Sequence, residues 1–380
     1  MRVSKRGQVA PFIAMDVMNA ASEAEAAGRD IVHMEVGQPA TSAPAGARQA
    51  LAQALDTDAM GYTMALGLPA LRQGIADLYA RWYGLTLDPA RVVVTSGSSG
   101  AFLLAFTALF DAGDKVGLGE PGYPSYRQVL RALSLEPVGI VTHAQDRYHP
   151  TPAHLTEDLS GVILASPGNP SGTMLDRDAL GALLGAAKSR GISVVSDEIY
   201  HGLHYDQRAV SALELSDDVY VVNSFSKYFS MTGWRVGWMI VPPDHIRTVE
   251  RLAQHMFICA PHAAQVAALG ALSSIDELEA NLAVYAGNRQ VMLDGLAAAG
   301  FVDIAPPDGA FYIYVDVAKF TDDSVTFAQD ILEQAGVAVT PGCDFDPARG
   351  HQTLRLSYAQ SRPRIQEGMK RLQRFMQSYR

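Results

Sequence analysis

The segment Asn223-Ser-Phe-Ser-Lys-Tyr-Phe-Ser-Met-Thr-Gly-Trp-Arg-Val-Gly-Trp238 sets Lys227 among serines, with Arg235 a short way downstream. A lysine amine becomes a carbonyl-trapping nucleophile when burial or a nearby cation disfavours its ammonium form. Ser224, Ser226 and Arg235 offer two hydroxyls and a planar guanidinium fork, which together suit a phosphate. Taken alone, the same residues also suit a surface lysine following a strand. Ser224-Phe-Ser-Lys227 spells the S-x-x-K pattern of penicillin-recognising serine enzymes too, but the companion K-T-G is missing.

Three further windows have chemical content. Ser193-Val-Val-Ser-Asp-Glu-Ile-Tyr200 is an apolar strand running into Asp197, Glu198 and Tyr200, at the carboxyl edge where open α/β sheets place ligands. A carboxylate buried there needs a cation, and a protonated pyridine nitrogen is one; a helix cap or structural ion pair is the plainer use of Asp197. Val93-Val-Thr-Ser-Gly-Ser-Ser-Gly-Ala101 passes from strand to helix through small residues. Gly97, Ser98 and Ser99 would present N–H groups and hydroxyls to an anion, or make an ordinary turn. Ala165-Ser-Pro-Gly-Asn-Pro-Ser-Gly-Thr173 holds Asn169 between two prolines, able to aim an amide at a ligand oxygen or simply to turn the chain.

Two other patterns carry less. Gly117-Leu-Gly-Glu-Pro-Gly122 matches a dinucleotide fingerprint in letters, yet Pro121 and Pro124 fall where its helix should begin. His201-Gly-Leu-His204 lacks supporting carboxylates or thiols, so no metal is expected and both histidines are read as polar residues near the surface.

The elements that must position these residues alternate short apolar runs with amphipathic stretches, as in a mostly parallel sheet covered by helices. Strands are expected at Arg91–Thr95, Lys115–Leu118, Pro137–Val141, Gly161–Ala165, Ser193–Ser196, Val219–Asn223 and Val236–Val241. Helices are expected at Ala101–Phe110, Asp176–Ser189 and Asp244–Phe257. The strands are continuous apolar runs, as burial on both faces requires. Beyond about residue 275 the pattern becomes α+β: a helix over Ile275–Ala299, a strand over Phe311–Val315, a helix over Val325–Gln334, a strand over Thr353–Ser357 and a helix over Pro363–Gln377. This predicts a large domain at 44–280 and a smaller one built from 1–43 and 281–380.

Composition removes several classes of function. A net charge of −10, without a basic run, argues against a nucleic-acid partner. No apolar run reaches the ~18 to 20 residues of a membrane span, and Asp16 interrupts the apolar Val9–Met15 stretch before it resembles a secretory signal. Cys259 and Cys343 are read as free thiols of a reduced compartment. The expected setting is cytoplasmic.

The windows occur together and in order, and the chain from about residue 10 onward resembles the class I/II aminotransferases of the fold-type-I pyridoxal-phosphate (PLP) superfamily. Val36-Gly-Gln-Pro39, Gly61-Tyr-Thr-Met-Ala-Leu-Gly-Leu-Pro-Ala-Leu-Arg72, Pro121-Gly-Tyr-Pro124 and Leu354-Arg-Leu-Ser-Tyr-Ala359 add to the likeness. The resemblance implies an α/β fold with a seven-stranded sheet and a smaller α+β domain. It implies that Lys227 carries PLP as an imine, Asp197 keeps the pyridine nitrogen protonated, and Asn169 and Tyr200 bond the phenolic oxygen. Tyr123 would stack on the ring. Ser98, Ser99, Ser224, Ser226 and Arg235 would hold the phosphate, with Tyr62 reaching it from a partner subunit and Gly97 allowing close approach. Arg355 would grip the substrate α-carboxylate, with Gly37 and Asn169 beside it. Gln38, where Glu is frequent, and Asp344-Phe-Asp346, where Phe-Gly is common, depart from the pattern near the substrate side chain.

The expected reaction is ping-pong transfer of an amino group from an L-amino acid to a 2-oxo acid by a homodimer with shared active sites. A C–S β-lyase on the same scaffold is the nearest alternative. A non-catalytic PLP-binding regulatory module is a more distant one, because such modules carry a helix-turn-helix extension and the residues before 30 leave no room for it. No second arginine for a distal carboxylate is evident. Arg289 reads as a solvated helix position, so a neutral, apolar or aromatic donor is expected, with Phe12, Ile13 and Met15 closing over it.

Overall fold

A computed structural model describes residues 1–379. The strands in chain order are β1 (Val32–His33), β2 (Val92–Thr95), β3 (Lys115–Glu120), β4 (Glu136–Val141), β5 (Gly161–Ala165), β6 (Ser193–Asp197), β7 (Tyr220–Ser224), β8 (Gly237–Ile240), β9 (Tyr312–Asp316), β10 (Val337–Ala338), β11 (Thr340–Pro341) and β12 (Thr353–Ser357). Seven of them form one sheet in the order β2-β8-β7-β6-β5-β3-β4. All its pairs are parallel except those made by β8, which runs antiparallel to both β2 and β7. The mixed α/β architecture with a mostly parallel seven-stranded sheet is therefore the observed fold.

The continuous apolar runs have a direct explanation, since side chains alternate between two covered faces. Val92, Val94, Val162, Leu164, Val194, Val221, Trp238 and Ile240 enter one core, packed by the helices Pro69–Tyr83, Arg177–Ser189 and His262–Ala271. Their neighbours Val93, Ile163, Val195, Val222 and Met239 enter the other, under the helices Gly97–Leu109, Pro124–Ala132 and Ile246–Met256. Neither face is left to solvent, so neither needs polar residues.

The remaining strands lie outside this sheet. β11, β12 and β9 form an antiparallel trio, and β1 pairs in parallel with β10, Val32 opposite Val337. The long helices Ile275–Ala298 and Arg362–Ser378 pack together beside them.

Boundary differences have local causes. The helix expected from Ala101 starts at Gly97, because Gly-Ser-Ser-Gly has no apolar periodicity and reads as a turn. Arg91 belongs to a Pro89–Arg91 turn rather than to β2; its guanidinium bonds the Val241 carbonyl at 2.9 Å and Asp217 at 2.5 Å. The helix expected over Val325–Gln334 is an α-helix only at Ser324–Asp330 and widens into a π turn at Ile331–Ala335, ended by Gly336 in the left-handed region. Pro124 does open a helix, at its first turn, where a missing N–H costs nothing. That proline was therefore no argument against a helix there; β3 simply runs on through Glu120 before the turn. Among the described residues no helix is long and apolar enough to cross a membrane.

Candidate active site

The carboxyl ends of β2, β3, β5, β6 and β7 converge on a cavity of about 220 Å³. The switch point lies between β3 and β5, where successive strands begin to add on the other side of β3. Lys227 follows β7 and enters the cavity, its Nζ donating to the Gly37 carbonyl. Burial, followed by the positive charges of Arg355 and Arg235, pulls the Lys227 amine down to about 7, against the opposing pull of Asp197. An amine so placed is substantially neutral near neutral pH, the form that attacks a carbonyl.

Asp197 ends β6 and is 5% exposed. Burial raises its carboxyl to about 6, opposed by a hydrogen bond from Tyr126, one from the Ile199 N–H at 3.0 Å, and the Lys227 charge. A carboxylate with this desolvation cost is stabilised by a cation brought to it.

The helix Gly97–Leu109 points its N-terminus at the cavity, with Ser98 and Ser99 on the lining. Arg235 and Ser226 line the same side. Gly97 has φ +69°, and a Cβ there would collide with the Arg235 guanidinium; a glycine lets the arginine cross the helix start. Unpaired helix N–H groups, hydroxyls and a guanidinium form an anion site.

At the other end Arg355, from β12, is 2% exposed. Its guanidinium lies between the rings of Tyr312 and Phe345, 4.4 and 4.6 Å from their centroids. Nη1 donates to Asn169 Oδ1 at 2.9 Å and Nη2 to the Glu35 carbonyl, while the buried Nε has no protein partner. Asn169 retains its amide N–H groups as donors. Tyr200 bonds the Tyr312 hydroxyl at 2.8 Å, and a Cβ on Gly37 would overlap that same hydroxyl. Tyr123 sets its ring on the lining beside Tyr126.

Four expected residues stand outside the lining: Ile13, expected beside Phe12 and Met15, borders a neighbouring hollow with Pro124 and Asp344 instead, and Gly97, Ser224 and Tyr62 are the others. Gly97 lies under Arg235, as described. The Ser224 hydroxyl is engaged with Ser226 Oγ at 2.8 Å and the Val236 carbonyl at 3.0 Å, so it supports Ser226 from behind. Tyr62 is 82% exposed and borders a separate hollow with Phe257 and His262.

Other readings need correction. His201 is 1% exposed, not a surface residue; its ring bonds Tyr83 at 2.6 Å and the Ser166 carbonyl at 2.8 Å, and burial drives its basicity down to about 3. Arg289 is partly buried rather than fully solvated: it pairs with the exposed Asp206 at 3.1 Å and lies over the Tyr205 ring, and, as expected, it is not on the cavity lining. Among the lining residues Lys227, Arg235 and Arg355 are the cations.

Tyr126 and Tyr312 were not anticipated. Tyr126 lies three residues after Tyr123, hence on the same side of the helix start. Tyr312 is diagonal to Arg355 across the β9–β12 pair, in which Arg355 faces Tyr314. Both spacings were present in the sequence, but the second needs the register.

The model of the family described as aminotransferase class I and II matches residues 29–372. The chain is 45% identical to valine–pyruvate aminotransferase of Mycobacterium tuberculosis over 98% of its length and 97% of that protein's. It superimposes on the crystal structure of an aminotransferase from Mycobacterium tuberculosis with a TM-score of 0.97, at 44% identity, covering all of both chains. The aspartate aminotransferase of Thermus thermophilus with maleate gives 0.92 at 32% identity, over 99% of this chain and 100% of that one. With the family matched over most of its length and relatives aligned end to end, the chain belongs to the class I and II aminotransferases.

Proposed function

We propose that this aminotransferase works with pyridoxal 5′-phosphate bound in the cavity at Lys227, and that its donor is a neutral, apolar amino acid. The carrying observation is the placement of one low-basicity amine, Lys227, between two separate anion grips, with a buried carboxylate alongside. The residues fit the cofactor. The helix start at Gly97 with Ser98, Ser99, Ser226 and Arg235 suits its phosphate, and Ser224 and Gly97 support that clamp. Asp197 suits a protonated ring nitrogen, Tyr123 a ring face, and the Asn169 amide and Tyr200 hydroxyl a phenolic oxygen. When bound, the cofactor supplies an electrophilic carbonyl and an electron-withdrawing ring.

The protein's own groups do the rest. Lys227 Nζ would hold the cofactor through its carbonyl carbon and, once displaced, would take the proton from the donor α-carbon as base and deliver it as acid to that cofactor carbon. Burial and the two arginines favour the unprotonated amine that the first task needs. Arg355 holds the α-carboxylate of donor and acceptor alike, fixed by Asn169 and the Glu35 carbonyl. Using one site for both partners gives ping-pong kinetics. Among the described residues the cavity lining has no further cation for a distal carboxylate, and Phe12, Ala14, Met15 and Val36 line it. The similarity to valine–pyruvate aminotransferase supports the same donor class.

The assembly we propose is a cytoplasmic homodimer in which Tyr62 of each chain completes the phosphate clamp of the other. The division into a cofactor-binding domain at 44–280 and a smaller domain at 1–43 with 281–380 is part of this reading. The test is a half-reaction: holoenzyme is mixed with valine, leucine, alanine, phenylalanine or aspartate, with no oxo acid present. One equivalent of the cognate oxo acid per site, without free ammonia, is expected from the neutral donors. Ammonia and pyruvate from a cysteine conjugate would instead identify a lyase. An aspartate kcat/KM tenfold above all the neutral donors would overturn the donor class.

A further inference from the structure

The helix Ile13–Ala26 has no N-terminal cap of its own. Its N-cap residue is Phe12, which carries no side-chain acceptor, and the first N–H groups of a helix need one. The acceptor comes from Asp344, far along the chain. Oδ1 receives the Ile13 N–H and Oδ2 the Ala14 N–H, each at 3.1 Å, and Asp344 is 8% exposed. A carboxylate at a helix N-terminus also meets the positive end of the helix dipole. Phe12 is thereby free to present its ring to the cavity, where it meets Tyr123 edge-on with centroids 6.0 Å apart. Ala14 and Met15 line the same wall. The residue after Asp344 is Phe345, one of the two rings enclosing the Arg355 guanidinium. One short turn, Gly342–Asp344, therefore anchors the wall through Asp344 and leads straight into the carboxylate grip through Phe345.

We propose that Asp344 is a specificity-positioning residue: it pins the first turn of the Ile13–Ala26 helix so that Phe12 and Met15 form the wall against which an apolar donor side chain packs. The inference rests on the neutral-donor reading above and adds which residue sets the selectivity. Asp344 is not itself on the cavity lining. It acts through the helix it caps.

The test is the ratio of kcat/KM for leucine to that for alanine, measured on holoenzyme for wild type, D344A, D344N, F12A and the double variant D344A/F12A. A donor as small as alanine does not reach the wall and a leucine does, so the ratio should fall roughly tenfold in D344A, the scale of one apolar pocket contact. F12A should lower it similarly. The double variant should fall no further than either single one, since both remove the same wall. D344N keeps one acceptor oxygen and should fall about threefold, which reads the effect even if D344A folds poorly. A purely structural role would lower thermal stability and both donors together, leaving the ratio unchanged; that result, or additive effects in the double variant, overturns the proposal. A wild-type enzyme that prefers alanine to leucine would also overturn the proposal, since no apolar wall would then be selecting the side chain, whereas an aspartate kcat/KM tenfold above both would instead fail the neutral-donor reading on which it rests.

Discussion

Replacing Arg355 by lysine probes the carboxylate grip where the structure defines it most fully. The arginine divides its donors: Nη1 serves Asn169 and Nη2 the Glu35 carbonyl, while two aromatic rings hold the guanidinium plane. A lysine ammonium is a point charge with no plane to stack and no fork to share between protein and ligand. It can satisfy Asn169 and Glu35, or the substrate, but not all in the same geometry. Losing one charge-assisted hydrogen bond to a carboxylate costs about 1.5–3 kcal/mol, roughly ten- to 150-fold in kcat/KM. The assay is single-turnover absorbance of each half-reaction, amino acid with one cofactor form and oxo acid with the other. Both should weaken by a similar factor, carried by KM, while the cofactor spectrum without substrate stays as in wild type. A loss confined to one half-reaction would refute a shared carboxylate site.

Other consequences follow from the same geometry. Asp197→Ala removes the only carboxylate among the described residues of the cavity lining and should lower kcat at least about a thousandfold, with Asp197→Glu impaired less; near-normal kcat in the alanine variant would contradict the role. Mixing inactive Lys227→Ala subunits with inactive Tyr62→Ala subunits should restore up to roughly a quarter of wild-type activity if subunits exchange at random, whereas an active monomer in light scattering would exclude shared sites. Burial pulls Lys227 from 10.5 down to about 7, so between those values the unfolded chain binds a proton the folded apoenzyme does not. Stability of the wild-type apoprotein relative to Lys227→Met should thus rise with pH from about 7 to about 10.5; a flat or falling difference in denaturant titrations would contradict it.

The sheet was legible in the sequence because its strands are buried on both faces, and runs such as Gly161–Ala165 leave no polar alternative. Much of the cavity's surroundings was legible because Lys227, Asp197, Asn169 and the Gly97 turn all sit at strand ends, where short local motifs carry them. What stayed hidden depends on contacts remote in sequence. Asp344 looks like a loop acid until the helix starting 331 residues earlier is placed against it. Tyr312 joins the site only once the β9–β12 register is known. His201 looked superficial because nothing local announces that Tyr83 and the Ser166 carbonyl enclose it. The π turn at Ile331–Ala335 likewise has no periodic signature.

The central claim is that Lys227 is the amine on which the chemistry turns. Reducing the PLP-loaded enzyme with borohydride and mapping the tagged peptide tests it directly. A single pyridoxyl mark is expected on Lys227, in the peptide containing Ser224 and Ser226, and none on Lys227→Ala. A mark on any other lysine, or no mark on a catalytically active enzyme, would contradict it.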